Sequence, residues 1–257
     1  MMSTPDFSLT GKMALITGAR KGIGKEIALA FAEAGADVAV CDLVTDDGKL
    51  NGVAEEIERF GRRSIAIKAD TSRKSDVEDM VWKVMDQFGA IDILVNNAGI
   101  IIRGPLLDMP EEEWDRLINV DLKGQFLCAQ AVGRKMVERK KGNIINISTQ
   151  YAFKAPDVGM GAYAVAKSGV VMLTRVLAKE LGRHGIRANS IAPGLARTDF
   201  SQATWSNGEV LRHIEAALPL GRIAETGDFV GAALFLASEA SSYVTGHTIL
   251  MDGGGLA

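Results

Sequence analysis

The sequence predicts an α/β domain: a doubly wound, mostly parallel seven-stranded sheet with helices on both faces. Three observations carry that expectation. Short apolar runs alternate with helical stretches along most of the chain, the pattern of strands joined by crossover helices. Glycines close many of these units, as at Gly18, Gly35, Gly61 and Gly89. The turn after the first apolar run is itself glycine-rich, reading Thr17-Gly18-Ala19-Arg20-Lys21-Gly22-Ile23-Gly24.

Taken in order, residues 12–17 (KMALIT) are apolar, too short for a helix and stopped by Gly18. Residues 23–34 read as an amphipathic helix, 37–41 (DVAVC) as a second strand and 53–60 as a helix ending at Gly61. A third strand at 64–68 precedes a helix from about 74 to 88 and a fourth strand at 91–95 (IDILV). A long helix is expected over 111–139, because Pro110 and an acidic first turn are a good start signal. Residues 143–147 and 186–191 read as strands around a helix at 163–181, and 247–251 as the last strand. No linker rich in Pro, Ser or charge interrupts this rhythm, so residues 1–257 are read as one domain. Two segments depart from it: a polar loop at 150–162, and 198–218, whose helical periodicity is weak. Both follow strands at their carboxyl ends, where open α/β sheets bind ligands. The second is expected to be a substrate loop.

Composition excludes several classes. The 29 Lys and Arg against 32 Asp and Glu give a formal charge of −3, which lacks the basic footprint of nucleic-acid binding. With 47% hydrophobic and 24% charged residues the chain is an ordinary globule rather than a disordered or fibrous one. No apolar run approaches the ~18 residues of a membrane span. Residues 1–10 show no basic stretch followed by an apolar core, so no secretory signal is expected, and the cytoplasm is the expected compartment. Cys41 and Cys128 cannot build a disulfide framework and suit a reducing environment; with His184, His213 and His247 scattered, no metal site is expected.

The glycine turn sits between a strand and a helix, where a pyrophosphate can approach bare backbone and meet a helix N-terminus. Asp42 follows the second strand. A carboxylate there accepts a ribose 2′-hydroxyl and repels a 2′-phosphate, so NAD is the expected cofactor. Arg20 and Lys21 carry charges that suit a 2′-phosphate, which keeps NADP as the alternative. Tyr163 and Lys167 are four residues apart, on one face of a helix. A nearby ammonium favours the phenolate and moves a phenol near pKa 10 toward use as a base. Such a tyrosine can take a proton from an alcohol while hydride leaves the same carbon.

With those motifs the chain resembles a short-chain dehydrogenase/reductase of the shorter, single-domain Rossmann type. The resemblance spans nearly the whole sequence in the family's order: the glycine motif, Asn96-Asn97-Ala98-Gly99, a helix Asn at Asn119, Tyr163 and Lys167, the Pro193-Gly194 turn, Thr198, and Asp252-Gly253-Gly254. It implies that Tyr163 is the general acid/base, that Lys167 lowers its pKa and holds the nicotinamide ribose, and that Asn119 supports a proton relay. It also implies that Asp70 approaches the adenine with Thr71 alongside, and that Thr198 sits beside the carboxamide. Where the family usually has a Ser to bond the substrate oxygen, this chain has Ser148-Thr149. The matching position is Thr149, which keeps the hydroxyl and adds a methyl, although a one-residue slip offers Ser148.

Arg103 and Lys154, two cations near the catalytic edge, suit a carboxylate or polyol. The expected activity is therefore NAD-dependent oxidoreduction of a secondary alcohol or ketone, on a small polar substrate such as a sugar or sugar acid. The alternatives are an NADPH-dependent 3-oxoacyl-carrier-protein reductase and, from another class, a dinucleotide-sensing protein without turnover. The 163–181 helix is apolar nearly all round, which points to burial against another subunit. The resemblance implies a homotetramer.

Overall fold

Seven strands form one sheet in the order β3-β2-β1-β4-β5-β6-β7, every neighbouring pair parallel. The computed structural model describes residues 6–156 and 158–257. The reading of residues 1–10 therefore falls partly outside the described residues, as does Asp157 in the 150–162 loop. The strands are β1 (Met13–Thr17), β2 (Asp37–Asp42), β3 (Ser64–Lys68), β4 (Ile93–Asn96), β5 (Gly142–Ile147), β6 (Ile186–Pro193) and β7 (Thr248–Met251). β4 starts later than its apolar run because Asp92 is drawn off: its carboxylate accepts the Met13 N–H at 2.9 Å and the Arg139 guanidinium at 3.0 Å.

The helices are α1 (Gly22–Glu33), α2 (Lys49–Arg59), α3 (Lys74–Phe88), α4 (Glu111–Ile118), α5 (Gly124–Arg139), α6 (Gly161–Leu181), α7 (Gln202–Trp205), α8 (Gly208–Ala217) and α9 (Val230–Ala237). Strand side chains alternate between the faces. Ala14 and Ile16 pack with Ile27 and Phe31 of α1, Leu50 and Val53 of α2, and Leu236 of α9. Leu15 packs on the other face with Val77 and Met80 of α3 and Val132 and Met136 of α5. Helix α2 begins earlier than expected because Leu50, with Val53 and Ile57, opens its buried stripe.

Three expectations change. The 111–139 helix is not continuous: a π-helical turn, Asn119–Lys123, separates α4 from α5. The 198–218 loop is ordered into a 3-10 turn (Asp199–Ser201) and helices α7 and α8, with the Asn207 side chain capping α8 through the N–H groups of Glu209 and Val210. Helix α9 was not anticipated, because its sequence VGAALFLA is apolar all round and shows no periodicity to read. Among the described residues, no helix is long and apolar enough to cross a membrane, and no cluster of His, Cys, Asp or Glu is placed to hold a metal.

Candidate active site

Strand order reverses between β1 and β4, and at the carboxyl ends of the strands there a cleft of about 840 Å³ opens. Its floor is the turn between β1 and α1. Gly18 and Gly22 adopt φ of 64° and 61°, which side-chain-bearing residues rarely accept. A Cβ on Gly24 would lie 2.5 Å from both the Gly18 carbonyl oxygen and Asn97 Nδ2. No side chain caps the first turn of α1, so its free N–H groups remain available to an anion. This bare, anion-seeking cradle fits the pyrophosphate of a dinucleotide.

Asn97 braces the cradle from the β4 side. Its Nδ2 donates to the carbonyls of Thr17 at 3.0 Å and Gly18 at 2.9 Å. The Thr17 hydroxyl accepts the backbone N–H groups of Asn97 and Ala98, both at 3.1 Å. At the end of β2, Asp42 accepts the Val44 N–H at 3.0 Å and lies 3.6 Å from Arg20 Nε. The same guanidinium also binds Asp47, and Lys21 pairs with Asp199 at 2.8 Å. The cations and the carboxylate that favour opposite cofactors are thus partnered: Arg20 with Asp42 directly, Lys21 with an acid across the cleft.

The catalytic end is built by α6, β5 and the π-turn. Tyr163 and Lys167 are both buried on one face of α6, with Lys167 Nζ 5.8 Å from the centre of the Tyr163 ring. Lys167 Nζ donates to the Ile147 carbonyl at 3.1 Å and lies 3.4 Å from Asp121 Oδ2, both side chains being almost fully buried. Ser148 turns away and donates to the Lys167 carbonyl at 3.0 Å. Thr149 remains beside the Tyr163 phenol, its Oγ1 accepting the Tyr151 N–H at 3.4 Å. Both residues line the cleft, and of the two hydroxyls it is that of Thr149 that stands beside the phenol.

Burial pushes the Tyr163 phenol well above its ordinary value and the Asp121 carboxylate adds to this, while the Thr149 hydroxyl opposes it. Burial likewise raises Asp121 against the pull of Lys167 and the Ile100 N–H. The Lys167 ammonium stands between the two, 5.8 Å from the centre of the Tyr163 ring and 3.4 Å from Asp121 Oδ2.

Sequence and fold comparisons agree with this architecture. A family profile described as enoyl-(acyl carrier protein) reductase matches residues 18–255. The (2S)-[(R)-hydroxy(phenyl)methyl]succinyl-CoA dehydrogenase subunit BbsD of Thauera aromatica is 42% identical over 246 residues, 96% of this chain and 97% of that one. The 3-oxoacyl-[acyl-carrier-protein] reductase FabG of Staphylococcus epidermidis is 40% identical over 95% of this chain and 98% of its own length. The chain belongs to the short-chain dehydrogenase/reductase family. A gluconate 5-dehydrogenase from Burkholderia cenocepacia, solved with NADP and tartrate, superposes with a TM-score of 0.92 at 36% identity, covering 98% of each chain. The protein is accordingly an oxidoreductase with a Rossmann-like sheet.

In this short-chain dehydrogenase/reductase the cleft wall includes Gly18, Arg20, Lys21, Gly22, Ile23, Asp42, Asn97, Ala98, Gly99, Arg103, Thr149, Tyr163, Lys167, Pro193, Gly194 and Thr198 from the sequence-expected set. Gly24 sits just behind it, against Asn97. Asn119 is not brought there. Its amide oxygen accepts from Lys123 Nζ at 3.2 Å on the outer side, and the polar residue that the π-turn delivers to Lys167 is Asp121. Lys154 is exposed and lies outside the cleft wall, whereas Arg103 lines it and donates to Thr204 Oγ1 at 3.0 Å. Asp70 and Thr71 also fall outside the wall: Asp70 is occupied by the Ser72 N–H and hydroxyl, and Thr71 packs against Gly124. Sequence reading missed Asp121, Thr204 and His213, which share the cleft. Only Asp121 left a signal, as an acid in an otherwise apolar helix register.

Proposed function

We propose that this enzyme moves a hydride between NAD(H) and a secondary alcohol or ketone, on a small polar substrate such as a sugar or sugar acid. The observation that carries the reading is the buried Tyr163–Lys167 pair facing the same cleft as the glycine cradle. When bound, the nicotinamide accepts or returns the hydride. In oxidation, the Tyr163 phenolate takes the alcohol proton as the C–H hydride departs; in reduction, the phenol returns that proton to the carbonyl oxygen. Thr149 orients the substrate oxygen through its hydroxyl. Lys167, fixed on the Ile147 carbonyl, holds the ribose.

Gly18, Arg20, Lys21, Gly22, Ile23 and Gly24, with Asp42, Asn97, Ala98, Gly99, Pro193, Gly194 and Thr198, are the residues that would hold the cofactor. NAD is preferred because a 2′-phosphate would meet Asp42 while Arg20 is already engaged by Asp42 and Asp47. Arg103 receives a substrate carboxylate. In solution the enzyme is a homotetramer, a reading supported by the exposed Val165, Met172 and Val176 of α6 and Phe126 of α5. The buried, free Cys41 and Cys128 support a cytoplasmic setting.

A second reading, an NADPH-dependent 3-oxoacyl thioester reductase, is favoured by the apolar lip of Val158, Met160, Val210 and Ile214. One experiment separates the two: fluorescence titration with NADH and NADPH, then a polyol, sugar-acid and β-ketoacyl panel with the tighter cofactor. Tight NADH binding with sugar-acid turnover supports the first reading. Tight NADPH binding with thioester reduction replaces it with the second. Binding without turnover on any panel member refutes both and leaves a dinucleotide sensor.

A further inference from the structure

Arg20 lines the cleft and suits a 2′-phosphate, yet its guanidinium is bound by a carboxylate that lies outside the cleft wall. Asp42, at the end of β2, stands 3.6 Å from Arg20 Nε, too far for a hydrogen bond, and among the described residues that buried Nε has no partner. The hydrogen bond that Arg20 does make runs from Nη1 to Oδ2 of Asp47, in the turn before α2. Asp47 is set there by its own turn. The Gly48 N–H donates to the Thr45 carbonyl at 3.3 Å, Gly48 takes the left-handed φ of 73°, and Asp47 Oδ1 accepts the Lys49 N–H at 3.1 Å. One carboxylate oxygen thus holds the turn and the other holds Arg20, with Lys49 Nζ 3.9 Å from the latter.

We propose that Asp47 is a specificity-determining residue: by holding the Arg20 guanidinium from behind the cleft, it withholds that cation from a 2′-phosphate and biases the enzyme toward NAD(H). The inference rests on the NAD(H) reading above. A free guanidinium beside the ribose would take a phosphate bidentately. Here a phosphate must first break the contact with Asp47 and then leave that acid unpaired beside its own negative charge. A ribose hydroxyl needs no such exchange, because it is uncharged and can donate to Asp42. Asp42 repels a phosphate directly; Asp47 acts through Arg20.

The second cation of the glycine turn does not play the same part. Lys21 and its partner Asp199 have side chains 44% and 59% exposed, against 14% and 31% for Arg20 and Asp47. A pair so open to water yields to a competing anion at little cost, whereas the more sheltered one is less screened and harder to part.

Asp47→Asn keeps an oxygen for the Lys49 N–H and removes the charge that faces Arg20. NADH and NADPH binding are read by fluorescence titration, and AMP and adenosine 2′,5′-bisphosphate binding by calorimetry; neither needs turnover. In Asp47→Asn the NADPH-to-NADH affinity ratio should rise about tenfold, and adenosine 2′,5′-bisphosphate should gain on AMP by a similar factor. In an Arg20→Ala background the same substitution should move the ratio less than ~2-fold, because its target is gone. An unchanged ratio in a folded Asp47→Asn protein overturns the proposal. So does a rise that persists without Arg20, which would make Asp47 a general repulsive charge. Asp47→Ser serves the same comparison if the amide variant does not fold. A wild type that binds NADPH more tightly than NADH refutes the NAD(H) reading on its own account. The ratios with and without Arg20 still decide whether Asp47 restrains that guanidinium.

Discussion

Replacing Asn97 by alanine tests whether the cradle is held from the β4 side. The side chain's acceptors are two backbone carbonyls, of Thr17 and Gly18, so the group facing them must be the amide NH2 and the variant removes both bonds. Each is worth ~1 kcal/mol net, and because Asn97 is half-buried at the cleft, water can satisfy part of what is orphaned. The expected loss is ~2 kcal/mol, which in a domain of this size lowers Tm by about 4–8 °C. The freed Gly18 turn must then be reordered on binding, so the NADH dissociation constant should rise ~5-fold or more. Asn97→Asp should be worse than Asn97→Ala, since it sets a carboxylate oxygen against two carbonyl oxygens. Thermal unfolding followed by circular dichroism and NADH fluorescence titration read the two effects separately. A Tm within about 1 °C of wild type, together with unchanged NADH affinity, would refute the brace.

Three further outcomes are expected. Tyr163→Phe should lower turnover at least ~10²-fold while NADH affinity changes little, as measured by steady-state kinetics beside fluorescence titration; near-normal turnover would remove Tyr163 from the chemistry. Asp42→Ala should raise the NADPH-to-NADH affinity ratio by ~10-fold or more, because the repulsion is lost and Arg20 loses one of its two carboxylate partners; an unchanged ratio would make Asp42 a turn residue only. Both thiols should resist an aromatic disulfide reagent in the native protein and react once it is denatured. Burial pushes Cys41 up and Cys128 to about 12, and rapid labelling of native protein would contradict that burial.

Much of the fold was legible because its strands and helices announce themselves by period and by glycine. Ala14, Ile16 and Leu15 alternate as a buried strand must, and Leu50, Val53 and Ile57 mark one helical face. What escaped was structure whose sequence carries no period. Helix α9 is apolar on every side although only Ala233, Leu236 and Ala237 are buried, so its pattern gives no phase. Helix α8, by contrast, lines the cleft through Glu209, Val210, His213 and Ile214 and has no fully buried residue; its short amphipathic stripe, opened by the Asn207 cap, was there to be read, and the loop expectation passed over it. Partnering was likewise out of reach: that Arg20 and Asp42 meet each other is a fact of β2 lying beside β1, not of their separation in sequence.

The π-turn at Asn119–Lys123 bears on which polar side chain meets Lys167. A continuous α-helix over 111–139 would give Asn119 and Asp121 faces set by 3.6 residues per turn. Between α4 and α5 the chain instead makes a π-turn, which inserts extra length into one turn and rotates α5 relative to α4. The turn leaves Asn119 half-buried and bonded to exposed Lys123, and carries Asp121 inward to Lys167. Such turns are intrinsically weaker than the α-helix around them and recur at functional sites. Here the turn is stitched by the Asp121–Ile100 bond to the segment after β4 and by Lys167 to α6. The carboxylate that meets Lys167 therefore also holds the backbone of the π-turn against the segment after β4, so one side chain ties the turn to both β4 and α6.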